Sequence, residues 1–378
     1  MFCVVMILVT SFYLVFAAQS SAKSTSKVQT EVLAGGKFLL IKPQFDWVGP
    51  FSEGLAAVYL NDRWGFIDKT GKFIVSPQFD EVKGFKEGLA AVKQNGKYGF
   101  IDKAGKIVIK PQFDLVGDFS EGLAAVKQSG KCGYINKTGR FVIKPQFDDV
   151  GNFSEGLAIV KQNGKCGYID KTGRYVIKPQ FNVASGFLGS IALVLQDGKC
   201  GFIDKTGKFV IKPQFDDVYF WFSEGLAPVK QNGKWGYINK TGKIVIKPQF
   251  DEAGDFNEGL AVVKKNGKMG YIDKTGKFII KPQFNEAGTF SEGLAPVKQN
   301  GKWGYIDKTG RFVIKPQFDN AYWFSEGLAV VEQGGKYGFV DKTGKIIIEP
   351  QFYYVKDFRE GSAIIGQDDK YGFIIKLK

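Results

Sequence analysis

The chain has 378 residues, of which 44% are hydrophobic and 15% are aromatic, and this composition excludes an intrinsically disordered protein. The sequence contains no His, which excludes Ser-His-Asp and Cys-His catalysis and every metal site that depends on imidazole. The formal net charge of +14 favours anionic partners. Because Lys is interleaved with Asp and Glu along the whole chain, the excess is also explained as ordinary surface charge.

The N-terminal segment, residues 1–22, holds an apolar run followed by small residues, which is the pattern of a signal peptide with cleavage after Ala17 or Ala22. No Lys or Arg precedes the run, and Lys23 and Lys27 follow it, so an uncleaved N-terminal anchor is the alternative. No later stretch is long and apolar enough to span a bilayer. We therefore predict an exported protein, located in the periplasm, on the cell surface or outside the cell.

An internal repeat follows a linker at residues 23–36 and makes residues 37–378 a single domain. The tripeptide PQF recurs every 34 residues, with one step of 35 between Pro213 and Pro248. Ten copies at one period predict a fold of stacked repeats. The copies begin at Pro43, Pro77, Pro111, Pro145, Pro179, Pro213, Pro248, Pro282, Pro316 and Pro350.

Each unit predicts three strands, which read GLAAVKQ, KWGYID and FVIKPQF in typical copies. The dipeptide between the first two strands, as at Asn95 and Gly96, indicates a hairpin because both turn residues must take positive φ. The DKTGK stretch predicts a type I turn with a Gly bulge. The Pro of the third strand cannot donate a hydrogen bond, so that strand should lie at a sheet edge or leave the sheet there. No unit shows helical periodicity, and the fold class is all-β.

The remaining segment of each unit, for example DDVGNFSEG at residues 148–156, is predicted to be an irregular crossing to the next unit. A lone unit buries too little apolar surface to fold, so the units must stack. Two arrangements satisfy this: a propeller-like toroid with the LAAV strands innermost, or an open β-solenoid or superhelix. The sequence favours the toroid, because the chain enters with a third strand at 37–45 and ends with a second strand at 370–375, so that the N-terminal strand completes the last sheet.

The phrase KWGYIDKTG at residues 302–310, with VIKPQF and FSEGLA at the fixed period, closely resembles the bacterial WG (KWG) repeat family. This resemblance covers residues 37–375 and implies an exported protein of variable copy number that mediates interactions. Variable copy number suits an open superhelix. The Trp of the motif is kept in three copies and replaced by Tyr, Cys or Met in the others, so we interpret it as a packing position: Trp64, Tyr98, Cys132, Cys166, Cys200, Trp235, Met269, Trp303, Tyr337 and Tyr371.

The chemistry-bearing residues of the repeat favour structural roles. Carboxylates such as Asp307 and Glu292 recur in most units, whereas acid-base catalysis needs one special environment, so we interpret them as turn caps. Cys132, Cys166 and Cys200 occupy one repeat position in consecutive units, and we interpret them as small buried hydrophobic residues rather than a metal or redox ladder. We predict no catalytic residue, no metal site and no cofactor.

The crossings that depart from the repeat are the candidate ligand-binding positions. Aromatic residues replace the usual small ones at Tyr219, Phe220 and Trp221 in the sixth crossing and at Tyr322 and Trp323 in the ninth. Such residues suit stacking on sugars or bases or a protein contact, and local packing is the alternative.

The fifth crossing, GFLGSIALVLQDG at residues 186–198, loses the usual Glu and gains Leu188 and Ile191, as an apolar contact or a drifted copy would. We predict a non-enzymatic exported scaffold whose partner is a protein or a cell-envelope polymer. The alternative is a binding module for anionic or neutral glycans that uses the Lys rows and the aromatic crossings. Nucleic acid is not an expected partner, and a membrane is one only if the N-terminal segment stays uncleaved.

Overall fold

A computed structural model describes residues 28–219 and 222–377, which form ten antiparallel sheets. Each sheet corresponds to one repeat, and the ten sheets form a ten-bladed β-propeller. The predicted signal peptide at residues 1–22 lies outside the described residues.

The first five blades comprise the following strands in chain order: blade 1, Trp47–Ser52, Leu55–Leu60, Arg63–Asp68 and Phe73–Phe79; blade 2, Glu81–Val82, Leu89–Gln94, Lys97–Asp102 and Ile107–Phe113; blade 3, Leu115–Val116, Leu123–Gln128, Lys131–Asn136 and Phe141–Phe147; blade 4, Asp149–Val150, Leu157–Gln162, Lys165–Asp170 and Tyr175–Phe181; blade 5, Val183–Ala184, Ile191–Gln196, Lys199–Asp204 and Phe209–Phe215.

The other five comprise: blade 6, Asp217–Val218, Leu226–Gln231, Lys234–Asn239 and Ile244–Phe250; blade 7, Glu252–Asn257, Leu260–Lys265, Lys268–Ile272 and Phe278–Phe284; blade 8, Glu286–Ala287, Ala295–Gln299, Lys302–Ile306 and Phe312–Phe318; blade 9, Asn320–Ser325, Leu328–Gln333, Lys336–Asp341 and Ile346–Phe352; blade 10, Tyr354–Val355, Ser362–Gln367, Lys370–Lys376 and, from the N-terminus, Phe38–Phe45 with Thr30–Leu33 beside it.

The two turns read from the sequence are confirmed. Asn95 and Gly96 take φ values of 51° and 78°, as a two-residue hairpin turn of type I′ requires. At the next turn, the side-chain Oδ1 of Asp102 accepts hydrogen bonds from the backbone N–H groups of Ala104 and Lys106, at 3.0 and 2.9 Å. A carboxylate at this position therefore fixes the turn between the third and fourth strands of its blade.

The crossing segments were predicted to be irregular, and this prediction is wrong in one respect, because each crossing supplies the first strand of a blade. In blade 4, Asp149 and Val150 pair with Lys161 and Val160. The LAAV strand thus has a neighbour on both sides and is not at a sheet edge, where an innermost strand must lie. The hairpin that joins these two strands turns at a Glu with φ of 53°, and Glu is not a residue that favours this conformation, so the sequence carries no ordinary turn signal there.

The Gly of the motif is required by close approach of the fourth strand. At Gly201 an added Cβ would lie 2.6 Å from the carbonyl oxygen of Ile211 and 2.7 Å from the nitrogen of Pro213. The register between these strands shifts here, and the Pro, which has no N–H, lies in the irregular stretch at the sheet edge. The predicted edge position of the Pro is confirmed, and the Gly and Pro of the repeat explain each other.

Neighbouring blades pack through ten hydrophobic clusters, one at each interface. A tilted or edge-to-face aromatic pair recurs in them, as between Phe100 and Phe119, whose centroids lie 4.9 Å apart. In blade 3 the corresponding ring is Tyr134, which packs on Phe153 and donates a hydrogen bond from its hydroxyl to the carbonyl oxygen of Gly151 at 2.7 Å. Burial raises the pKa of the Tyr134 hydroxyl well above its ordinary value. The core is therefore a ring of interfaces between blades.

The two ends of the chain close the ring, which confirms the toroid that the sequence predicts. The N-terminal strand Phe38–Phe45 pairs antiparallel with the last strand Lys370–Lys376, in a register that places Ile41 opposite Phe373. A cluster that contains Val48 of blade 1 and Phe373 of blade 10 joins the last blade to the first. The open superhelix is therefore excluded. Part of the predicted linker at 23–36 also belongs to the fold, since Thr30–Leu33 adds a fifth strand to blade 10.

Candidate functional site

Adjacent blades are tied together by a Glu whose carboxylate reaches the next blade. Glu53 of blade 1 accepts a hydrogen bond from the backbone N–H of Gly88 in blade 2 at 3.1 Å, and the ammonium of Lys103 lies 3.0 Å from it. Partial burial by itself raises the pKa of Glu53, but the Lys103 ammonium and the Gly88 N–H lower this pKa below its usual range. The positive φ of this Glu, 53°, is thus stabilised by contacts across the interface.

We call the place at each interface where this repeat position faces the next blade a seam, and we number the seams by the blade that supplies the position. Among the described residues, eight interfaces have this ion pair, and at the interface between blades 10 and 1 the ammonium of Lys69 donates to the main-chain oxygen of Glu360. The eight pairs are Glu53–Lys103, Glu87–Lys137, Glu121–Lys171, Glu155–Lys205, Glu224–Lys274, Glu258–Lys308, Glu292–Lys342 and Glu326–Lys376.

The two carboxylates interpreted as turn caps therefore differ. Oδ1 of Asp307 caps its own turn, where it accepts hydrogen bonds from the N–H groups of Thr309 and Arg311. Glu292 caps the turn of the following blade instead, because it accepts a hydrogen bond from Gly327 at 3.0 Å. The two roles can be told apart only when the blades are placed side by side, because the partners of Asp307 lie in its own blade and the partner of Glu292 lies in the next one.

The aromatic residues predicted in the sixth crossing are described only at Tyr219, since Phe220 and Trp221 lie outside the described residues. The ring of Tyr219 packs at 5.0 Å on Trp235 of its own blade and keeps 38% of its surface exposed. Burial of the other part raises the pKa of the Tyr219 hydroxyl. One part of the Tyr219 ring therefore packs on its own blade, and the other part is exposed to solvent.

The ninth crossing separates its two predicted residues. Tyr322 packs against the core between blades 9 and 10, its ring lies 6.4 Å from Tyr337, and its carbonyl oxygen accepts the hydroxyl hydrogen bond of Tyr305. Trp323 points the other way along the strand and is 46% exposed. The sixth and ninth crossings belong to blades three positions apart, and the structure does not bring them together. As ligand contacts, these residues remain predictions.

A larger aromatic surface lies where blades 10 and 1 meet, and we call it the closure patch: Trp47, Tyr59, Trp64, Tyr354 and Tyr371. The ring of Tyr371 lies 5.6 Å from Tyr354 and 5.2 Å from Trp47. Trp47 is the cross-strand partner of Tyr59, which packs at 5.2 Å on Trp64. Trp47 is 43% exposed and Tyr354 is 39% exposed. Five rings thus form a continuous surface across two blades that are the first and last in sequence.

The positions of Trp47, Tyr59 and Trp64 include an acid and a base in blade 2, whereas in blade 10 they are Tyr354, Gly366 and Tyr371. In blade 2 they are Glu81, Lys93 and Tyr98, where the Lys ammonium pairs with the Glu carboxylate at 2.5 Å and the Tyr hydroxyl donates to the same carboxylate. In blade 1 they are Trp47, Tyr59 and Trp64, so the acid and the base are both replaced by rings. A position-by-position alignment of the ten copies carries this signal, but only ring closure shows that blades 1 and 10 are neighbours.

The family model described as WG containing repeat matches this chain ten times, and the geometry of the Gly and its neighbouring strand accounts for the G of that motif. The chain belongs to the WG repeat family. The matches cover residues 36–64, 64–98, 98–132, 133–166, 167–200, 201–235, 235–268, 269–303, 303–337 and 337–371.

Among curated proteins, none matches the sequence of this WG repeat chain. Three solved structures with which it shares 12% identity are a eukaryotic initiation factor, BamB from Moraxella catarrhalis and the computationally designed Ika8 protein. Their TM-scores are 0.48, 0.34 and 0.36, over 77%, 93% and 69% of this chain and 94%, 99% and 95% of theirs. At TM-scores below 0.5, none of them bears on the function of this protein.

The WG repeat positions that carry Cys are buried in the structure, and Cys132, Cys166 and Cys200 do not form disulfides with one another. Burial raises the pKa of the Cys132 and Cys166 thiols, which keeps them protonated and unreactive near neutral pH. Within residues 28–219 and 222–377, no cluster of three or more Cys, Asp or Glu has the arrangement of a metal site. In the same part of the chain, no helix is both long and apolar enough to cross a membrane.

Proposed function

We propose that this protein is an exported, non-catalytic scaffold that binds a protein or a cell-envelope polymer through the closure patch. The observation that carries the proposal is that rings replace the Glu–Lys pair in blade 1 and lie beside Tyr354 and Tyr371 of blade 10, a blade that only ring closure makes adjacent. Most rings of the repeat lie inside the interfaces between blades, whereas Trp47 and Tyr354 keep about two fifths of their surface exposed. Exposed clustered rings are typical of surfaces that bind partners.

The chemistry of the closure patch favours an uncharged ligand surface. Its rings replace both members of the Glu–Lys pair that blade 2 keeps, so the patch offers flat apolar faces with polar tips at the Tyr and Trp residues. The flat faces of sugar rings and the apolar centre of a protein epitope both match such a surface. Binding to it should change little with ionic strength, because no ion pair is formed.

The proposal is tested by a pair of matched substitutions, Trp47→Ala in the closure patch and Trp323→Ala in the ninth crossing. The two side chains have nearly equal exposure, 43% and 46%. Pull-down from envelope extract and a glycan array identify the bound partner, and titration of that partner gives the affinity of each variant. Trp47→Ala should weaken binding by about 1–3 kcal/mol, as for one stacked ring, and Trp323→Ala should leave it unchanged. Loss of binding in Trp323→Ala alone would assign the contact to the ninth crossing instead.

A row of lysines supports a second candidate, an anionic glycan. One Lys in the fourth strand of each of seven consecutive blades is exposed, and its ammonium makes no hydrogen bond or ion pair with the described part of the chain. Binding of a polyanion along this row should weaken steeply between low and moderate salt, whereas binding at the closure patch should not. The lysines are Lys110, Lys144, Lys178, Lys212, Lys247, Lys281 and Lys315.

A further inference from the structure

The fifth seam, between blades 5 and 6, differs from the ion-paired seams because Gly189 stands where they have Glu. The chain still turns here, with a φ of 68° at Gly189, but the N–H that donates to the carboxylate of Glu155 in blade 4 is that of Gly189. In the ion-paired seams the donor is the next residue, a Gly at positive φ, and in blade 5 that next residue is Ser190. The seam before it is therefore intact. Only the side chain that should reach from blade 5 to blade 6 is missing.

The groups that receive this side chain are still present in blade 6. By position in the repeat they are the backbone N–H of Gly225 and the ammonium of Lys240, which correspond to Gly259 and Lys274 of the next blade. Gly225 has a φ of 89°, close to the 86° of Gly259, so its N–H belongs to the same kind of turn. Neither Gly225 N–H nor the Lys240 ammonium has a hydrogen-bond acceptor or ion-pair partner within residues 28–219 and 222–377.

A cavity of about 100 Å³ lies at this seam, and Gly189 and Lys240 are both in its wall. This volume is several times what one water molecule requires. The side chains of the wall other than Lys240 are apolar, and they include Leu188 of the fifth crossing and Phe222 of the sixth. The two crossings that depart most from the repeat thus meet at one place. The full lining is Leu188, Gly189, Ile191, Leu193, Phe202, Phe222 and Lys240.

We propose that the fifth seam is a carboxylate-binding site that takes the glutamyl side chain of an acidic peptide from a partner protein. At the neighbouring seam, the carboxylate of Glu224 accepts the Gly259 N–H at 3.1 Å and lies 3.0 Å from the Lys274 ammonium. The fifth seam has the corresponding two donors, and Lys240 lies in the wall of a cavity whose other side chains are apolar. A carboxylate at the end of a short aliphatic stem therefore satisfies the donors and the walls together.

This site is separate from the closure patch. The patch spans blades 10 and 1, and the fifth seam lies between blades 5 and 6, on the far side of the ring. The two surfaces also differ in chemistry, because one presents uncharged rings and the other presents an ammonium and a backbone N–H. Failure of one proposal leaves the other intact.

The experiment titrates the whole protein with N-acetyl-glutamic acid α-amide, which has one side-chain carboxylate, and follows the Gly225 amide resonance by NMR. The neutral isostere N-acetyl-glutamine α-amide is the ligand control, and glucuronate is the sugar carboxylate. The glutamyl probe should shift the Gly225 resonance with saturation, and the glutamine probe should not. No shift with the glutamyl probe, or a stronger response to glucuronate, would overturn the assignment to a peptide.

Three variants decide whether the response arises at the fifth seam. Gly189→Glu supplies the missing side chain from within the protein, and nine Glu residues already adopt positive φ at this position of the repeat, so the variant should fold and block the probe. Lys240→Gln should weaken probe binding at least tenfold. Lys274→Gln, which removes the matching ammonium at an occupied seam, should leave probe binding unchanged.

Probe binding that persists in Gly189→Glu would contradict the proposal. A readout without ligand is also available, because Gly189→Glu should raise the thermal unfolding midpoint by restoring the seam. In the Lys240→Gln background that gain should shrink. A gain of equal size in both backgrounds would show that the introduced carboxylate does not use the Lys240 ammonium, which would also overturn the proposal.

Discussion

At the scale of single residues, the repeat is a set of paired constraints. The motif Gly exists because the fourth strand approaches within a distance that no side chain tolerates, and the Glu at positive φ exists because its carboxylate reaches the next blade. The cause lies in a neighbouring strand for the Gly and in the neighbouring blade for the Glu. The Glu recurs in nine blades, and eight of these residues make the same ion pair, so these carboxylates carry no enzymatic signal, because acid-base chemistry needs one special environment.

The close approach at the motif Gly predicts the effect of adding one methyl group. Gly201→Ala should destabilise the protein by about 1–3 kcal/mol, because the new Cβ would lie 2.6 Å from a backbone oxygen. Gly186→Ala in the same blade is the matched control, since nothing lies within 4 Å of its added Cβ and it should be nearly neutral. Denaturant unfolding of the two variants measures the difference. Equal stability would show that the strands are not held this closely.

The seams predict how stability depends on pH. Partial burial by itself raises the pKa of Glu121, but the Lys171 ammonium and the Gly156 N–H lower this pKa below its usual range. A carboxyl group with a lowered folded-state pKa contributes stability above the ordinary Glu value of about 4.3, and this contribution disappears as the pH falls through the lower folded value. Glu121→Gln should therefore reduce stability by about 1 kcal/mol or less at pH 7.

This difference between the wild type and Glu121→Gln should shrink as the pH falls below about 4.3, the ordinary Glu pKa. Thermal unfolding of both proteins across this range measures it, and the comparison cancels the titration of the other carboxylates. A difference that grows towards low pH would have the wrong sign for a seam.

At the scale of elements, the sequence predicts most of each blade but not its first strand. Asn95 and Gly96 mark a hairpin because their residue types favour positive φ, whereas the hairpin at Glu155 and Gly156 has a Glu in that conformation, and no local preference indicates it. The first strand of blade 4 is also only two residues long, too short for a period-two pattern. Interactions with the next blade, which are not local in sequence, determine both features.

The candidate sites follow the same division. The sequence singles out the fifth and sixth crossings because they break the repeat, and the structure places Leu188 and Phe222 in one cavity. The closure patch is not evident from the sequence, since Trp47 and Tyr371 lie at opposite ends of the chain and their contact depends on ring closure. Local departures from the repeat can therefore be recognised in the sequence, whereas contacts between the two ends of the chain cannot.

The blade as a unit makes a prediction about copy number. Deleting one whole unit, for example residues 115–148, removes one blade and two interfaces and leaves nine blades to close a ring whose curvature suits ten. We expect a large loss of stability, because every interface must change its angle for the ends to meet. Thermal unfolding of the deleted and complete proteins tests this expectation, and equal midpoints would contradict it.

At the scale of the whole molecule, closure is the feature on which the other conclusions depend. It completes blade 10 with the N-terminal strand, joins the last blade to the first through a shared core, and assembles the closure patch. It also fixes which blades are neighbours, and so which seam lacks its carboxylate. An open array would retain each blade but lose the surface that the proposed function uses.

Closure is tested most directly by a disulfide between the strands that close the ring. Leu40 and Ile374 are cross-strand partners, so the double variant Leu40→Cys with Ile374→Cys should form an intramolecular disulfide, identified by peptide mapping under non-reducing conditions. The bond should also raise the unfolding midpoint, because it closes a loop of nearly the whole chain. The control pair, Leu39→Cys with Ile374→Cys, is out of register by one residue and should not cross-link, since its side chains face opposite sides of the sheet. Efficient cross-linking of the in-register pair alone is the result expected of a closed ring, and its absence, or equal cross-linking of both pairs, would contradict the ten-bladed closure.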